Sequence, residues 1–228
     1  MQNPLGQPIG AAVNWQGATP PPRVVLKGQY CSVVPLTPSH APDLFAATQL
    51  DTDGRNWTYL FEEPITDLAA FITWTEKASE STDPLYHAII SAETGKPVGY
   101  ATYMRITPQM GVIETGNIHL SPALQGSRAS TEARYLLMKQ AFALGYRRYE
   151  WKCDSLNAPS RRTALRLGFT FEGIFRQALV YKGRNRDTAW FSVTDQEWPA
   201  LENAFVSWLD AGNFDKSGNQ LEKLQTFR

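Results

Sequence analysis

Gln125, Gly126, Ser127, Arg128, Ala129 and Ser130 form a loop of mostly small side chains that runs straight into a helical pattern, TEARYLLMKQAFALG. Small side chains leave successive backbone N–H groups open, and the positive end of the helix dipole points to the same place. Together they make a site for an anion such as a pyrophosphate. The two cysteines, Cys31 and Cys153, show no metal-ligand spacing such as CxxC, so no metal is expected. Both read as buried thiols in a reducing, cytoplasmic compartment. Cys153 sits in an alternating strand without a neighbouring His motif, which makes it a core thiol and not a nucleophile.

The rest of the chain must position that loop. With 228 residues and 43% hydrophobic side chains it holds a sizeable core, and no linker divides its middle. Twenty-two Lys and Arg balance twenty-two Asp and Glu. A net charge of zero argues against nucleic acid or an anionic membrane as a main partner. No apolar run reaches the roughly 18 residues of a membrane span, and the N-terminus lacks a secretory pattern, so a soluble protein is expected.

Residues 1–28 read as a Pro- and Gly-rich arm anchored by Trp15, residues 29–212 as the folded domain, and 213–228 as a polar tail. Strands are expected over 24–27 and 30–36. Helices follow over 41–50, behind Ser39, and over 65–81, capped by Thr66. Residues 85–92 and 97–106 alternate as a hairpin, and a further strand starts after Gly111. The central helix stops at Gly145, and Tyr149, Trp151 and Cys153 alternate with charged residues as a half-buried strand. Asn157 caps a short helix that ends at Gly168. Residues 169–181 and 187–194 form a hairpin around Lys182-Gly183-Arg184-Asn185-Arg186, and a last helix covers about 196–209. A mostly antiparallel front half followed by a βαβ crossover predicts an α/β (α+β) mixed sheet with helices on both faces.

Three spaced motifs resemble the GNAT acetyltransferase superfamily and, within it, the RimJ/RimL-like branch. They are Ser121-Pro122-Ala123-Leu124-Gln125-Gly126 with Thr131-Glu132-Ala133, then Asn157-Ala158-Pro159-Ser160, then Leu167-Gly168-Phe169-Thr170-Phe171-Glu172-Gly173. The block from Arg176 through Gly183 to Asp187 also fits, and the likeness spans roughly residues 30–194. The resemblance implies a GNAT-type acyl-CoA N-acyltransferase fold, its sheet splayed between the fourth and fifth strands, with acetyl-CoA as cosubstrate in the gap. It further implies direct transfer of acetyl to a primary amine in a ternary complex, without a metal.

Carried over residue by residue, the resemblance makes Gln125–Ser130 the pyrophosphate loop. Arg128 departs from the pattern, which has Gly there. Its Cβ restricts the backbone, while its guanidinium offers a phosphate a partner. Attack on the thioester needs a neutral amine and hence a base. Glu114 and His119, on the strand that also carries Asn117, are the candidates. A regular strand points these two to opposite faces, and a bulge reverses that parity. Ser160 is the expected proton donor to the departing thiolate, and Asn157 the partner of the pantetheine amides. The backbone of Ile118–Leu120 would pair with pantetheine as an added strand. Arg55, Trp57, Tyr59, Trp151 and Arg176 are expected to recognise the acceptor. The expected acceptor is a small-molecule amine or aminoacyl-type metabolite. The alternatives are a protein N-terminus, or a non-catalytic acyl-CoA-binding scaffold if Arg128 blocks the loop. An arm able to wrap a second subunit makes a homodimer a further expectation.

Overall fold

The computed structural model describes residues 1–228. Its elements follow the order β1 (Leu26–Lys27), β2 (Cys31–Pro35), α1 (Ala41–Thr48), α2 (Leu68–Glu80), β3 (Leu85–Ser91), β4 (Pro97–Thr107), β5 (Val112–Leu120) and α3 (Arg128–Ala143), then β6 (Arg148–Asp154), α4 (Ala158–Arg166), β7 (Thr170–Tyr181), β8 (Arg184–Thr194) and α5 (Trp198–Leu209). All eight strands join one sheet in the order β1-β2-β3-β4-β5-β6-β8-β7, and β5–β6 is its parallel pair.

Two apolar layers sandwich the sheet. On one face α1 and α2 bury Leu44 and Phe71 against Tyr86, Ala88 and Tyr100. On the other, α3 and α5 bury Leu137, Met138 and Phe205 against Tyr103, Ile113 and Tyr149. Alternation along each strand supplies both layers, since neighbouring side chains leave opposite faces. The arm lies along this body: the Trp15 indole donates to the Gly145 carbonyl at 2.8 Å, and the Thr19 amide to that of Leu144 at 2.8 Å. The C-terminal segment, read as a polar tail, folds back and buries Leu224 in the core beside α5.

Local signals set the helix ends. Ser127 Oγ accepts the Ser130 amide at 3.1 Å at the start of α3, and Asn157 Oδ1 accepts the Ser160 amide at 3.1 Å at the start of α4. At α2 the cap is Asp67, whose carboxylate accepts the Ala70 amide at 2.8 Å, and not Thr66. At α1 the preceding turn spans Pro38–His40 behind Thr37, so Ser39 lies within that turn and does not cap the helix. The last hairpin turns more tightly than expected: Lys182 and Gly183, both at positive φ, form a two-residue loop, and β8 starts at Arg184.

A chain reversal beside the first turn of α3 ties that helix to the sheet. The Glu132 carboxylate accepts the amides of Gln29, Tyr30 and Cys31 at 2.7, 2.7 and 2.8 Å. Gly28 is required beside it, because a Cβ there would stand 2.4 Å from Glu132 Oε2.

Candidate active site

The parallel pairing of β5 with β6 runs from Val112↔Arg148 to Thr115↔Trp151 and stops. Beyond it, Gly116–Leu120 of β5 and Lys152–Asp154 of β6 pair only with their outer neighbours, β4 and β8. Leaving out the two-residue β1, these are the fourth and fifth strands, which part there. A cavity of about 520 Å³ opens at the parting, lined by Glu114, Gly116, Ile118, Lys152, Asn157 and Ser160 among others.

Glu114 is 3% exposed on the cavity wall. Its Oε2 lies 2.9 Å from Lys152 Nζ and 3.3 Å from Arg105 Nε. Burial raises the Glu114 carboxyl pKa to about 7; Lys152 and Arg105 oppose the rise, and the neighbouring Glu150 adds to it. Arg105 reaches this position from a break in the β4–β5 register, where its backbone adopts φ +49° and the amides of Arg105 and Ile106 donate to Asp83. Both cations also lie over the Trp190 ring, at 5.2 and 4.7 Å. Sequence reasoning missed Lys152, Arg105 and Trp190. The strand alternation around Trp151 already placed Lys152 on the face opposite Trp151, but its partner lay on another strand.

A bulge reverses the parity of β5. Thr102 pairs with Gly116 and Tyr100 with His119, so three steps on β5 match two on β4, with Asn117 at φ +45°. Glu114 and His119 therefore share a face. His119 nevertheless lies outside the cavity wall. It is fully buried, stacked on Tyr100 at 5.4 Å and capped by Trp57 at 4.6 Å, and burial lowers its pKa to about 4.

Ser160 Oγ accepts the Trp151 indole N–H at 2.9 Å, which leaves its own hydrogen to donate into the cavity. Asn157 spends its carbonyl on the α4 cap, and its amide faces the same space. Cys153 backs the cavity as a buried thiol whose pKa is raised by burial, a poor nucleophile.

At the α3 end, Gly126 turns at φ +69°, and the amides of Gly126, Arg128 and Ala129 meet no acceptor within the protein. The Arg128 side chain turns away from them and stacks over Tyr30 at 4.5 Å and Phe214 at 4.8 Å, so it does not fill the loop. Gln125 Nε2 donates to Asn56 Oδ1 at 2.8 Å and to the Leu120 carbonyl at 3.0 Å, fixing the loop to the end of β5. The unpaired edge of β5 at Ile118 and the open amides from Gly126 to Ala129, ahead of Ser130, fit an extended acyl-CoA.

Of the residues expected to hold the acceptor, Tyr59 and Trp151 line the cavity. The other three do not. Arg55 points to solvent, paired with Asp53. Trp57 is buried against His119. Arg176 sits in a β7 bulge between Phe175 and Leu179 that turns it outward. The wall is completed instead by Phe61, Phe175, Leu179, Arg186, Thr188 and Trp190.

Comparison with known proteins agrees with this fold. A family profile described as Acetyltransferase (GNAT) domain matches residues 32–170. The crystal structure of a GCN5-related N-acetyltransferase from Brucella melitensis is similar at 49% identity and a TM-score of 0.92, over 94% of this chain and 98% of that one. A probable GNAT-family acetyltransferase from Chromobacterium violaceum is 38% identical at a TM-score of 0.78, over 87% of this chain and 100% of that one. RimL, a ribosomal L7/L12 alpha-N-protein acetyltransferase solved with coenzyme A, shares the fold at 18% identity and a TM-score of 0.65, over 75% of this chain and 99% of that one. A search of curated proteins returned no match. No helix is long and apolar enough to cross a membrane. With a matched domain over more than half its length and close structural kin, the chain belongs to the GNAT acetyltransferase family, whose enzymes carry out acyl-CoA-dependent N-acetylation.

Proposed function

We propose that the protein transfers acetyl from acetyl-CoA to the primary amine of a small molecule, with Glu114 as general base and Ser160 as proton donor. The observation that carries the reading is Glu114. It is the carboxylate on the cavity wall, it stands where β5 and β6 part, and its pKa of about 7 suits proton removal near neutrality.

When bound, acetyl-CoA supplies the activated acyl group. The amides of Gly126, Arg128 and Ala129 hold its phosphates at the α3 terminus. The free β5 edge at Ile118 and the Asn157 side-chain amide orient the pantetheine. Ionised Glu114 takes a proton from the acceptor ammonium and so exposes the nitrogen lone pair. Lys152 and Arg105 keep Glu114 ionised at lower pH than burial alone would permit. As the C–N bond forms and the C–S bond breaks, Ser160 Oγ–H, at the positive end of α4, donates to the departing thiolate and regains its proton from the one the acylated nitrogen sheds. No residue becomes acetylated in this scheme.

Contacts that bridge the acceptor side of the cavity favour a small acceptor over a protein terminus. Lys182 of the last hairpin donates to the Trp57 carbonyl at 2.9 Å and pairs with Glu63 at 3.2 Å. Phe61 meets Tyr181 edge-on at 5.7 Å. These contacts fasten the segment before α2 to the β7–β8 hairpin, across the acceptor side. The test is thiol release from acetyl-CoA over a panel of small amines, aminoacyl conjugates and N-terminal peptides, with calorimetry for acetyl-CoA. Saturating turnover on a small amine, abolished in Glu114→Gln, supports the reading. Preference for peptides moves the acceptor to protein termini, and absence of both binding and turnover removes the reading.

A further inference from the structure

Arg186, Thr188 and Trp190 occupy alternate positions on β8 and line the cavity from one face of that strand. Each presents a buried polar atom that no protein group meets: Arg186 Nε, Thr188 Oγ1 and Trp190 Nε1. Arg186 is only 7% exposed. The ion pairs around the cavity join Lys152 and Arg105 to Glu114 and Lys182 to Glu63, and leave Arg186 out. The nearby Asp154 carboxylate is engaged by the Tyr181 hydroxyl and the Leu156 amide, each at 2.8 Å. The Arg186 guanidinium instead lies beside an edge-on pair of rings, 5.4 Å from the centre of Phe61 and 5.6 Å from that of Tyr181. A guanidinium taken from water without an anion is costly, and so are unpaired hydroxyl and indole donors. Arg186 and Thr188, neighbours on this face, offer adjacent donors without an acceptor on the protein, which matches an acceptor on the ligand.

We propose that the amine acceptor carries an anionic group, a carboxylate, which Arg186 and Thr188 bind at the end of the cavity away from Glu114. The acceptor is thus an amino acid or short aminoacyl compound, with its apolar body against Phe61, Phe175 and Leu179. This inference rests on the acetyl-transfer reading. Lys152 pairs in register with Trp190, and Arg186 lies four residues further along β8, about 13 Å at ~3.3 Å per residue. The amine at Glu114 and the anion at Arg186 therefore occupy opposite ends of the cavity. The planar fork of Arg suits a carboxylate in bidentate contact. A phosphoryl group offers the same oxygens, so the probes must separate the two.

The experiment compares matched acceptors that differ in the anion: phenylalanine against phenethylamine, glycylphenylalanine against its C-terminal amide, and O-phosphoethanolamine against ethanolamine. The expected result is a kcat/KM at least tenfold higher for a carboxylate member than for its uncharged partner. In Arg186→Met that ratio collapses towards one, chiefly through KM, and Arg186→Lys restores part of it. Thr188→Val, which removes one hydroxyl at constant shape, reduces the ratio severalfold and serves if Arg186→Met does not fold. Thermal shift gives a second readout independent of turnover. N-acetylphenylalanine raises the melting temperature of the wild type more than N-acetylphenethylamine does, and this difference vanishes in the variants. Equal use of charged and uncharged acceptors by the wild type, with equal thermal shifts, overturns the inference while acetyl transfer stands. A preference confined to the phosphoryl probe overturns the carboxylate assignment. Absence of acetyl-CoA binding and of all turnover instead removes the acetyl-transfer reading itself.

Discussion

Lys152 Nζ lies 2.9 Å from Glu114 Oε2 across the line where β5 and β6 cease to pair, so the ion pair spans the mouth of the splay. Burial pushes the Glu114 proton affinity up and the ammonium pulls it down, and the balance falls at about 7. Glu114 acts as a base only when ionised, so kcat/KM should fall tenfold per pH unit below about 7. Glu114→Gln should lower kcat by about 10²–10⁴ and remove that acid limb. Lys152→Met takes away an opposing charge, so the limb should move to higher pH. A limb unmoved by Lys152→Met would place the titrating group elsewhere.

The same raised pKa affects stability. The folded-state pKa lies above the ordinary 4.5 of a glutamate, so folding favours the protonated form. The resulting penalty is absent below about pH 4 and grows as pH rises towards 7. Chemical denaturation at pH 5 and pH 8 should show the Glu114 contribution shrink with rising pH, by up to about 3 kcal/mol.

Ser160 has two partners to lose. Ser160→Ala should slow thiolate departure and lower kcat with little change in KM. It also strands the buried Trp151 indole N–H, a loss of about 1–3 kcal/mol measurable by denaturant titration. Ser160→Cys should recover more of the stability than of kcat.

Arg128→Ala tests the phosphate loop. The donors there are backbone amides and the guanidinium is stacked on Tyr30 and Phe214. Acetyl-CoA affinity by calorimetry should therefore fall less than tenfold, while stability drops by about 1 kcal/mol for the lost cation–π contacts. A much larger loss of affinity would show that Arg128 turns back to pair with phosphate.

Glu132→Ala removes one carboxylate and leaves three amides, those of Gln29, Tyr30 and Cys31, without their acceptor. A cost of about 3 kcal/mol or more is expected, a fall in melting temperature of roughly 6–12 °C for a chain of this size. Scanning calorimetry reads it directly.

What the sequence by itself determined is whatever depends on neighbours in the chain. Ser127 and Asn157 cap the helices that follow them, and Gly145 and Gly168 end those helices at positive φ. Small residues at Gly126 and Ala129 leave their amides open, and alternation marks β6 as a strand. The element order that follows was enough to predict a mixed sheet with helices on both faces, whereas its parting between the fourth and fifth strands was implied by the family resemblance. Tertiary structure decided which side chains meet. His119 shares a face with Glu114 only because of the bulge at Asn117, and is then shut away by Trp57 from a distant segment. Arg186 reads as a turn residue beside Gly183 and Asn185. Yet the tight Lys182-Gly183 turn draws it into β8, and pairing with Leu179 buries it in the cavity wall. Lys152 and Arg105 acquire their roles from a carboxylate on a neighbouring strand. Capping and turn formation act over three or four residues, whereas charge pairing and desolvation act through space. Strand register and bulges bring those groups together, and neither is written in any local run of residues.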